Sequence, residues 1–169
     1  MARVIFVLGG ARSGKSARAL ALAPVPRVFI ATAEALDSEM AERIRLHQRE
    51  RGDDWGLVEA PLDLAEAIRW NASGQTTIVI DCLTLWLSNL MHHERSIEQE
   101  TNALIETVHD APGTIVLVSN EIGLGLAPME SLSRRFRDAQ GRLNQHIAAA
   151  AHQVEFVAAG LPLTLKDDR

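Results

Sequence analysis

The chain has 169 residues, 47% of them hydrophobic and 23% charged, with 17 basic against 22 acidic side chains for a net charge of −5. That length suits one domain with a proper core, the composition excludes extensive disorder, and the acidic balance argues against non-specific binding to nucleic acid or to anionic membranes. Cys82 is the only cysteine, which excludes an intrachain disulfide, and no apolar run approaches the ~20 residues a membrane span needs, so a soluble cytoplasmic protein is expected.

The first apolar run, Val4-Ile5-Phe6-Val7-Leu8, predicts a strand over 3–8. It leads directly into Gly9-Gly10-Ala11-Arg12-Ser13-Gly14-Lys15-Ser16, after which an alanine- and leucine-rich helix is predicted over 15–23. The spacing G-x-x-x-x-G-K-S has a physical logic. Glycines let backbone N–H groups turn inward on phosphate oxygens, a lysine neutralises the β- and γ-phosphates, and a serine hydroxyl ligates Mg²⁺. A glycine turn without a ligand is the bland alternative, and the strand before and helix after favour the phosphate cradle. The chain is therefore expected to bind a nucleoside triphosphate.

A second strand is predicted over 27–31, ending in Ile30-Ala31-Thr32-Ala33-Glu34, which is either a loop touching nucleotide or substrate or a plain strand-to-helix turn. The helix predicted over 38–51 carries Met40, Ile44 and His47 at i, i+4 and i+7, with Arg43, Arg45, Arg49 and Arg51 around them. By spacing alone His47 is a packing histidine that extends the apolar stripe; the functional reading is an imidazole nucleophile in a basic setting that would also bind a triphosphate. Residues 52–56 read as a loop, and a helix is predicted over 62–72.

Thr76-Thr77-Ile78-Val79-Ile80 predicts a strand over 76–81 buried on both faces, and it ends in Asp81. A carboxylate there is placed either to reach Mg²⁺, directly or through water, or to cap the helix predicted over 83–93. A further helix is predicted over 97–110. His92, His93 and His109 lack ligand spacing with any cysteine or acidic pair, so a structural zinc site is not expected. Thr114-Ile115-Val116-Leu117-Val118 is a second fully buried strand, and Ser119 to Pro128 after it is a substrate loop or a connector. The helix predicted over 131–152 shows an apolar stripe of Phe136, Leu143, Ile147 and Ala150, with Ser131 as N-cap and Arg134, Arg135, Arg137 and Arg142 as a mainly solvated face. Strands over 154–159 and, more weakly, 163–166 close the chain. No Asn-Lys-x-Asp element is present, which weakens a switch-GTPase reading.

Alternating strands and helices predict one domain over residues 1–169: an α/β, P-loop NTPase-like fold with a mostly parallel, doubly wound sheet and helices on both faces. In such sheets ligands lie outside the carboxyl ends of the strands, where Gly9, Ala31, Asp81 and Ser119 fall.

The motifs Gly9 to Ser16, Ile30-Ala31-Thr32, Asp37 to His47, Val58-Glu59-Ala60-Pro61, Asp81-Cys82-Leu83-Thr84, Asn120-Glu121-Ile122-Gly123-Leu124-Gly125 and Phe136 to Gln145 cover nearly the whole chain in order. Together they resemble the bifunctional adenosylcobinamide kinase / adenosylcobinamide-phosphate guanylyltransferase family of cobalamin biosynthesis. The resemblance implies a two-step transferase. ATP or GTP phosphorylates adenosylcobinamide; GTP then guanylylates a histidine, releasing pyrophosphate, and the GMP passes to adenosylcobinamide phosphate to give adenosylcobinamide-GDP. It maps the guanylylated histidine onto His47, with Lys15 also catalytic. Nucleotide contacts are implied at Gly9, Gly10, Ala11, Arg12, Ser13, Gly14, Lys15, Ser16, Ala31, Thr32, Ala33, Gln48, Arg49, Glu50, Arg51, Glu59 and Asp81. Mg²⁺ is implied at Ser16 and Asp81, and a homotrimer with active sites near subunit boundaries is implied as the assembly.

Overall fold

The protein is described by a computed structural model covering residues 1–34, 38, 42, 46, 49 and 54–168. Its elements are β1 (Arg3–Gly9), α1 (Lys15–Ala21), β2 (Arg27–Ala31), β3 (Trp55–Glu59), α2 (Leu64–Asn71), β4 (Thr77–Asp81), α3 (Leu83–His92), α4 (Ile97–Asp110), β5 (Thr114–Asn120), α5 (Ser131–Ala150), β6 (Gln153–Ala158) and β7 (Leu161–Asp167). The strands form one sheet in the order β3-β2-β4-β5-β1-β6-β7. Every neighbouring pair is parallel except β6 and β7.

The period-2 alternation of strand side chains divides the core into two layers. Val4, Phe6, Ile30, Ile78, Ile80, Ile115 and Leu117 pack with Leu64, Trp86, Leu87, Leu104, Leu143 and Ile147 from α2, α3, α4 and α5. Ile5, Val7, Phe29, Val79, Val116, Val118 and Val157 pack on the other face against Ala19 and Ala23, at and just beyond α1. Crossover handedness explains this unequal division. From β1 the chain crosses β5 and β4 to reach β2, whereas β3 to β4, β4 to β5 and β5 to β6 all run the opposite way along the sheet. Right-handed crossovers in opposite directions must use opposite faces, so α1 lies across the sheet from α2, α3, α4 and α5.

The buried strands fall close to their predicted positions, and three differences have physical causes. Trp55–Glu59 is a strand, although residues 52–56 read as loop; it is a half-exposed edge strand whose pairing with β2 aligns Arg27 with Trp55 and Ala31 with Glu59. Contacts distant in sequence hold it: the Arg27 guanidinium lies 4.2 Å above the Trp55 ring, and Phe29 meets that ring edge-on at 6.0 Å. Ser131 does not cap α5. The cap position belongs to Glu130, and Ser131 is already the first helical residue. The weak final strand is longer than expected because β7 is the antiparallel arm of a hairpin, turned by Ala159 and Gly160 at positive φ.

Of the helix predicted over 38–51, Ser38, Glu42, Leu46 and Arg49 are helical and exposed; the other positions lie outside the described residues. Among the described residues, no helix is long and apolar enough to cross a membrane.

Candidate functional site

The cradle between β1 and α1 is built from close backbone approaches. A Cβ at Gly9 would stand 2.4 Å from Ser13 Oγ and 2.6 Å from the Val157 carbonyl oxygen, so no side chain fits without movement of the neighbouring strand. Gly14 sits at φ +96°, and a Cβ there would be 3.0 Å from Gly160 Cα. Gly160 closes the back of the turn, its N–H donating to the Ser13 carbonyl at 2.7 Å. That contact from the β6–β7 hairpin was not legible in the sequence, beyond the turn signal of a glycine between two strands. Lys15 is buried, and its Nζ donates to the Gly10 carbonyl at 2.9 Å, which folds the ammonium over the cradle.

Asp81 ends β4 on the face that carries α1, as its alternation with Val79 requires. Ser16 Oγ donates to Asp81 Oδ2 at 2.7 Å. This disposes of the capping alternative, because Cys82 occupies the cap position of α3 and makes no side-chain cap bond. A hydroxyl and a carboxylate in contact beside a buried lysine are hard oxygen donors of the kind that hold a small divalent cation.

Behind Asp81 a buried bracket holds the chain. The peptide between Asp81 and Cys82 is cis. Thr32 Oγ1 accepts from the Cys82 N–H at 2.9 Å and donates to the Cys82 carbonyl at 2.7 Å, and Asn89 Nδ2 donates to the carbonyls of Thr32 at 2.7 Å and Pro61 at 3.0 Å. Thr32, expected among the nucleotide contacts, is fully buried, with its hydroxyl consumed in this bracket; it supports Asp81 from behind. Burial, reinforced by the Asp81 charge, pushes the Cys82 thiol up to about 11, so it stays protonated and is no nucleophile near neutral pH.

At the end of β5, Ser119 turns toward α5. Its Oγ donates to Asn144 Oδ1 at 2.8 Å and accepts from Gln140 Nε2 at 2.9 Å. The following loop turns on Glu121, whose Oε1 accepts from the Gly123 N–H at 2.6 Å. Ile122 and Pro128, with Met91 and Phe136, line an apolar groove on the side of α3 and α5, away from α1 and Lys15.

A phosphate cradle, a Ser–Asp pair and a polar strand end thus converge at the carboxyl edge of the sheet. Residues 5–165 match the family described as cobinamide kinase / cobinamide phosphate guanyltransferase. The chain belongs to this family. Its relatives include the bifunctional adenosylcobalamin biosynthesis protein CobP of Pseudomonas aeruginosa, 45% identical over 96% of this chain and 97% of the relative. The bifunctional adenosylcobalamin biosynthesis protein CobU of Escherichia coli is 37% identical over 96% of this chain and 99% of the relative. Among solved structures, a protein of Pyrococcus horikoshii superposes with a TM-score of 0.60 at 7% identity, covering 99% of this chain and 87% of that one. The flagellar accessory protein FlaH of Methanocaldococcus jannaschii superposes with a TM-score of 0.55 at 11% identity, over 98% of this chain and 79% of that one. These two likenesses concern the α/β fold alone.

In this cobinamide kinase / cobinamide phosphate guanyltransferase chain, the predicted residues on β2, β3 and β4 fall along one edge. Ala31 is level with both Asp81 and Glu59, so Glu59 lies on that row two strand spacings, about 10 Å, from Asp81. The row continues through Val118 to Val7, which leaves Gly9 two residues further toward the carboxyl edge. Ala33 is half-buried, and Glu34 Oε1 accepts from His93 Nε2 at 3.0 Å. Ala11 and Arg12 are exposed at the lip of the cradle. Arg49 is exposed, and His47, Gln48, Glu50 and Arg51 lie outside the described residues. No group of three or more metal-binding side chains occurs among the described residues.

Proposed function

We propose that this chain phosphorylates adenosylcobinamide with ATP or GTP and then transfers GMP from GTP, through guanylylated His47, to adenosylcobinamide phosphate. The observation that carries the reading is the Ser16–Asp81 contact beside Lys15, at the carboxyl edge from which β2 leads into the segment bearing His47. In the first step the substrate hydroxyl oxygen bonds the γ-phosphorus, the β–γ bridge bond breaks, and the hydroxyl proton is lost. In the second, an imidazole nitrogen of His47 bonds the α-phosphorus of GTP and pyrophosphate leaves. A phosphate oxygen of the corrinoid then displaces the imidazole, releasing adenosylcobinamide-GDP and restoring the histidine. Two displacements keep GMP activated while pyrophosphate departs and a bulky substrate enters.

Ser16 and Asp81 would hold Mg²⁺, which when bound offsets negative charge on the transferring group. Lys15 moves from the Gly10 carbonyl to the phosphates, carrying γ-phosphate charge in the first step and leaving-group charge in the second. The carboxyl edge from the cradle at Gly9 past Asp81 and Ala31 to Glu59 gives the nucleotide a track, with phosphates at the cradle and the nucleoside toward β2 and β3. This reading counts Gln48, Arg49, Glu50 and Arg51 among the nucleotide contacts, the two arginines supplying positive charge for the triphosphate. The same reading includes a homotrimer.

Intact mass after incubation with GTP and Mg²⁺ tests it. One GMP should appear on the chain, acid-labile and base-stable, and His47→Ala should abolish it. Label that persisted in the variant would overturn the nucleophile, and a wild-type chain that never took up GMP would overturn the second step.

A further inference from the structure

We propose that Asn120 is a catalytic residue of the phosphoryl-transfer step, its side-chain amide contacting the γ-phosphate and the attacking hydroxyl. The inference rests on the two-step reading above. Its basis is the place of β5 in the sheet. β5 lies between β1, which carries the cradle, and β4, which carries Asp81. Asn120 pairs with Gly9 across one boundary, and Val118 pairs with Asp81 across the other. Asn120 therefore stands between the two halves of the phosphate site, two residues further toward the carboxyl edge than Asp81.

Alternation settles which face it uses. Ser119 is turned to α5, where Asn144 and Gln140 take its hydroxyl. Val116 and Val118 belong to the core beneath α1. Asn120, in phase with those valines, lies on the α1 face with Lys15, Ser16 and Asp81.

The backbone of Asn120 is fixed from three sides. Its N–H donates to Thr84 Oγ1 at 2.9 Å, its carbonyl accepts from Asn144 Nδ2 at 3.1 Å, and the next N–H, of Glu121, donates to the Gly9 carbonyl at 3.0 Å. Behind it, Gln140, Ser119 and Asn144 form a buried polar cluster, and Gln140 Nε2 bonds both Ser119 Oγ and Asn144 Oδ1 at 2.9 Å. A network of this kind orders what it touches. What it touches is the Asn120 main chain, and the side chain is left over.

The Asn120 Oδ1 atom is buried and finds no hydrogen-bond partner among the described residues. Buried polar groups are nearly always satisfied, so an orphan on the cradle face marks a position for a ligand group. Exchanging amide oxygen and nitrogen changes which atom is orphaned and leaves the unmet bond in place. A carboxamide suits two neighbours of opposite kind, because its NH₂ donates to a phosphate oxygen while its oxygen accepts from an alcohol. Held in that way, the alcohol oxygen is aligned with the γ-phosphorus, and the donor offsets charge on the transferring oxygens. In guanylyl transfer the reacting phosphorus is the α-phosphorus, and Asn120 meets only the departing pyrophosphate. Its removal therefore separates the two activities.

The test measures transfer of the γ-phosphate of labelled ATP to cobinamide, and separately GMP uptake by the enzyme from GTP, in Asn120→Ala and Asn120→Asp. Asn120→Ala should lower kcat for phosphoryl transfer about 100-fold or more, with KM for ATP and the rate of GMP uptake within about 3-fold of wild type and an unchanged melting temperature. Asn120→Asp keeps the shape but replaces the donor with a charge facing phosphate, so it should fail to rescue phosphoryl transfer and should raise KM for ATP. Phosphoryl transfer that is unaffected in Asn120→Ala, or restored by Asn120→Asp, overturns the proposal, as does a parallel loss of both activities with a fall in melting temperature. Should wild type take up no GMP, the two-step reading fails, and the phosphoryl-transfer comparison still decides the role of Asn120.

Discussion

Glu155 is charged, lies in the sheet core and is only 2% exposed, so its replacement by glutamine measures what ties the cradle to the sheet. Its partner Arg18 lies one turn beyond Lys15 on α1, with Arg18 Nε 2.7 Å from Glu155 Oε2 and Nη2 2.8 Å from Oε1. Gln153 Nε2 donates to Oε1 at 2.8 Å. Glu155→Gln keeps the volume and one acceptor but removes the charge, leaving a guanidinium against a neutral amide. Breaking a fully buried pair costs about 3–5 kcal/mol. Arg18 retains 33% of its side-chain exposure, so water recovers part of that and about 2–3 kcal/mol remains. For a chain of this length that corresponds to about 6–9 °C in melting temperature. Arg18, acting against the effect of burial, holds the Glu155 carboxyl below the ordinary range. A folded-state pKa depressed below the unfolded value of about 4.3 gives stability that is complete above that value and is lost as pH falls through the folded one. Thermal unfolding followed by circular dichroism should therefore show a constant gap between wild type and variant from about pH 8 to about pH 6, closing below about pH 4. A gap that persisted undiminished at about pH 3, or a loss under about 2 °C at neutral pH, would refute the assignment of net stabilisation to this pair.

Two neighbouring glycines should respond differently to alanine: Gly9→Ala meets Ser13 Oγ and the Val157 carbonyl within 2.6 Å, whereas Gly10→Ala meets nothing within 4 Å. Thermal melts should show Gly9→Ala destabilised by about 1–3 kcal/mol and Gly10→Ala close to wild type, and equal melts would contradict the packing of the cradle. Cys82 is 7% exposed, with its thiol pushed up to about 11, so iodoacetamide at about pH 8 should label the native chain at least about 100-fold more slowly than the urea-unfolded chain. Labelling at comparable rates would place the thiol outside the core.

What could be read before the fold was known follows from which features are local. The cradle is legible because its geometry demands glycine at Gly9 and Gly14, and because lysine and serine follow at fixed offsets on the next helix. β4 and β5 are legible because strands covered on both faces become unbroken apolar runs. β3 is not, since Trp55 is held by Arg27 and Phe29, residues brought near only by the pairing of β2 with β3. The helix of His47 is marked by its stripe, yet the stripe alone could not tell a packing imidazole from a nucleophile; the wording of the motifs around it supplied that reading.

Thr32 and Asn120 locate the boundary between local and tertiary information. Each is a polar residue at or just after the carboxyl end of a strand, and position alone makes both candidates for ligand contact. Thr32 spends its hydroxyl on Cys82, whereas Asn120 has its backbone held and one amide atom left without a partner. The difference comes from the strand order, which seats β5 against both β1 and β4, and from Gln140 and Asn144, which reach β5 only because α5 crosses back over it. The cluster at Ser119 therefore acts on the opposite face of the strand from its own side chains. By fixing the β5 backbone from the α5 side, it presents Asn120 to the phosphates on the α1 side, where a glycine cradle has no side-chain amide of its own to offer.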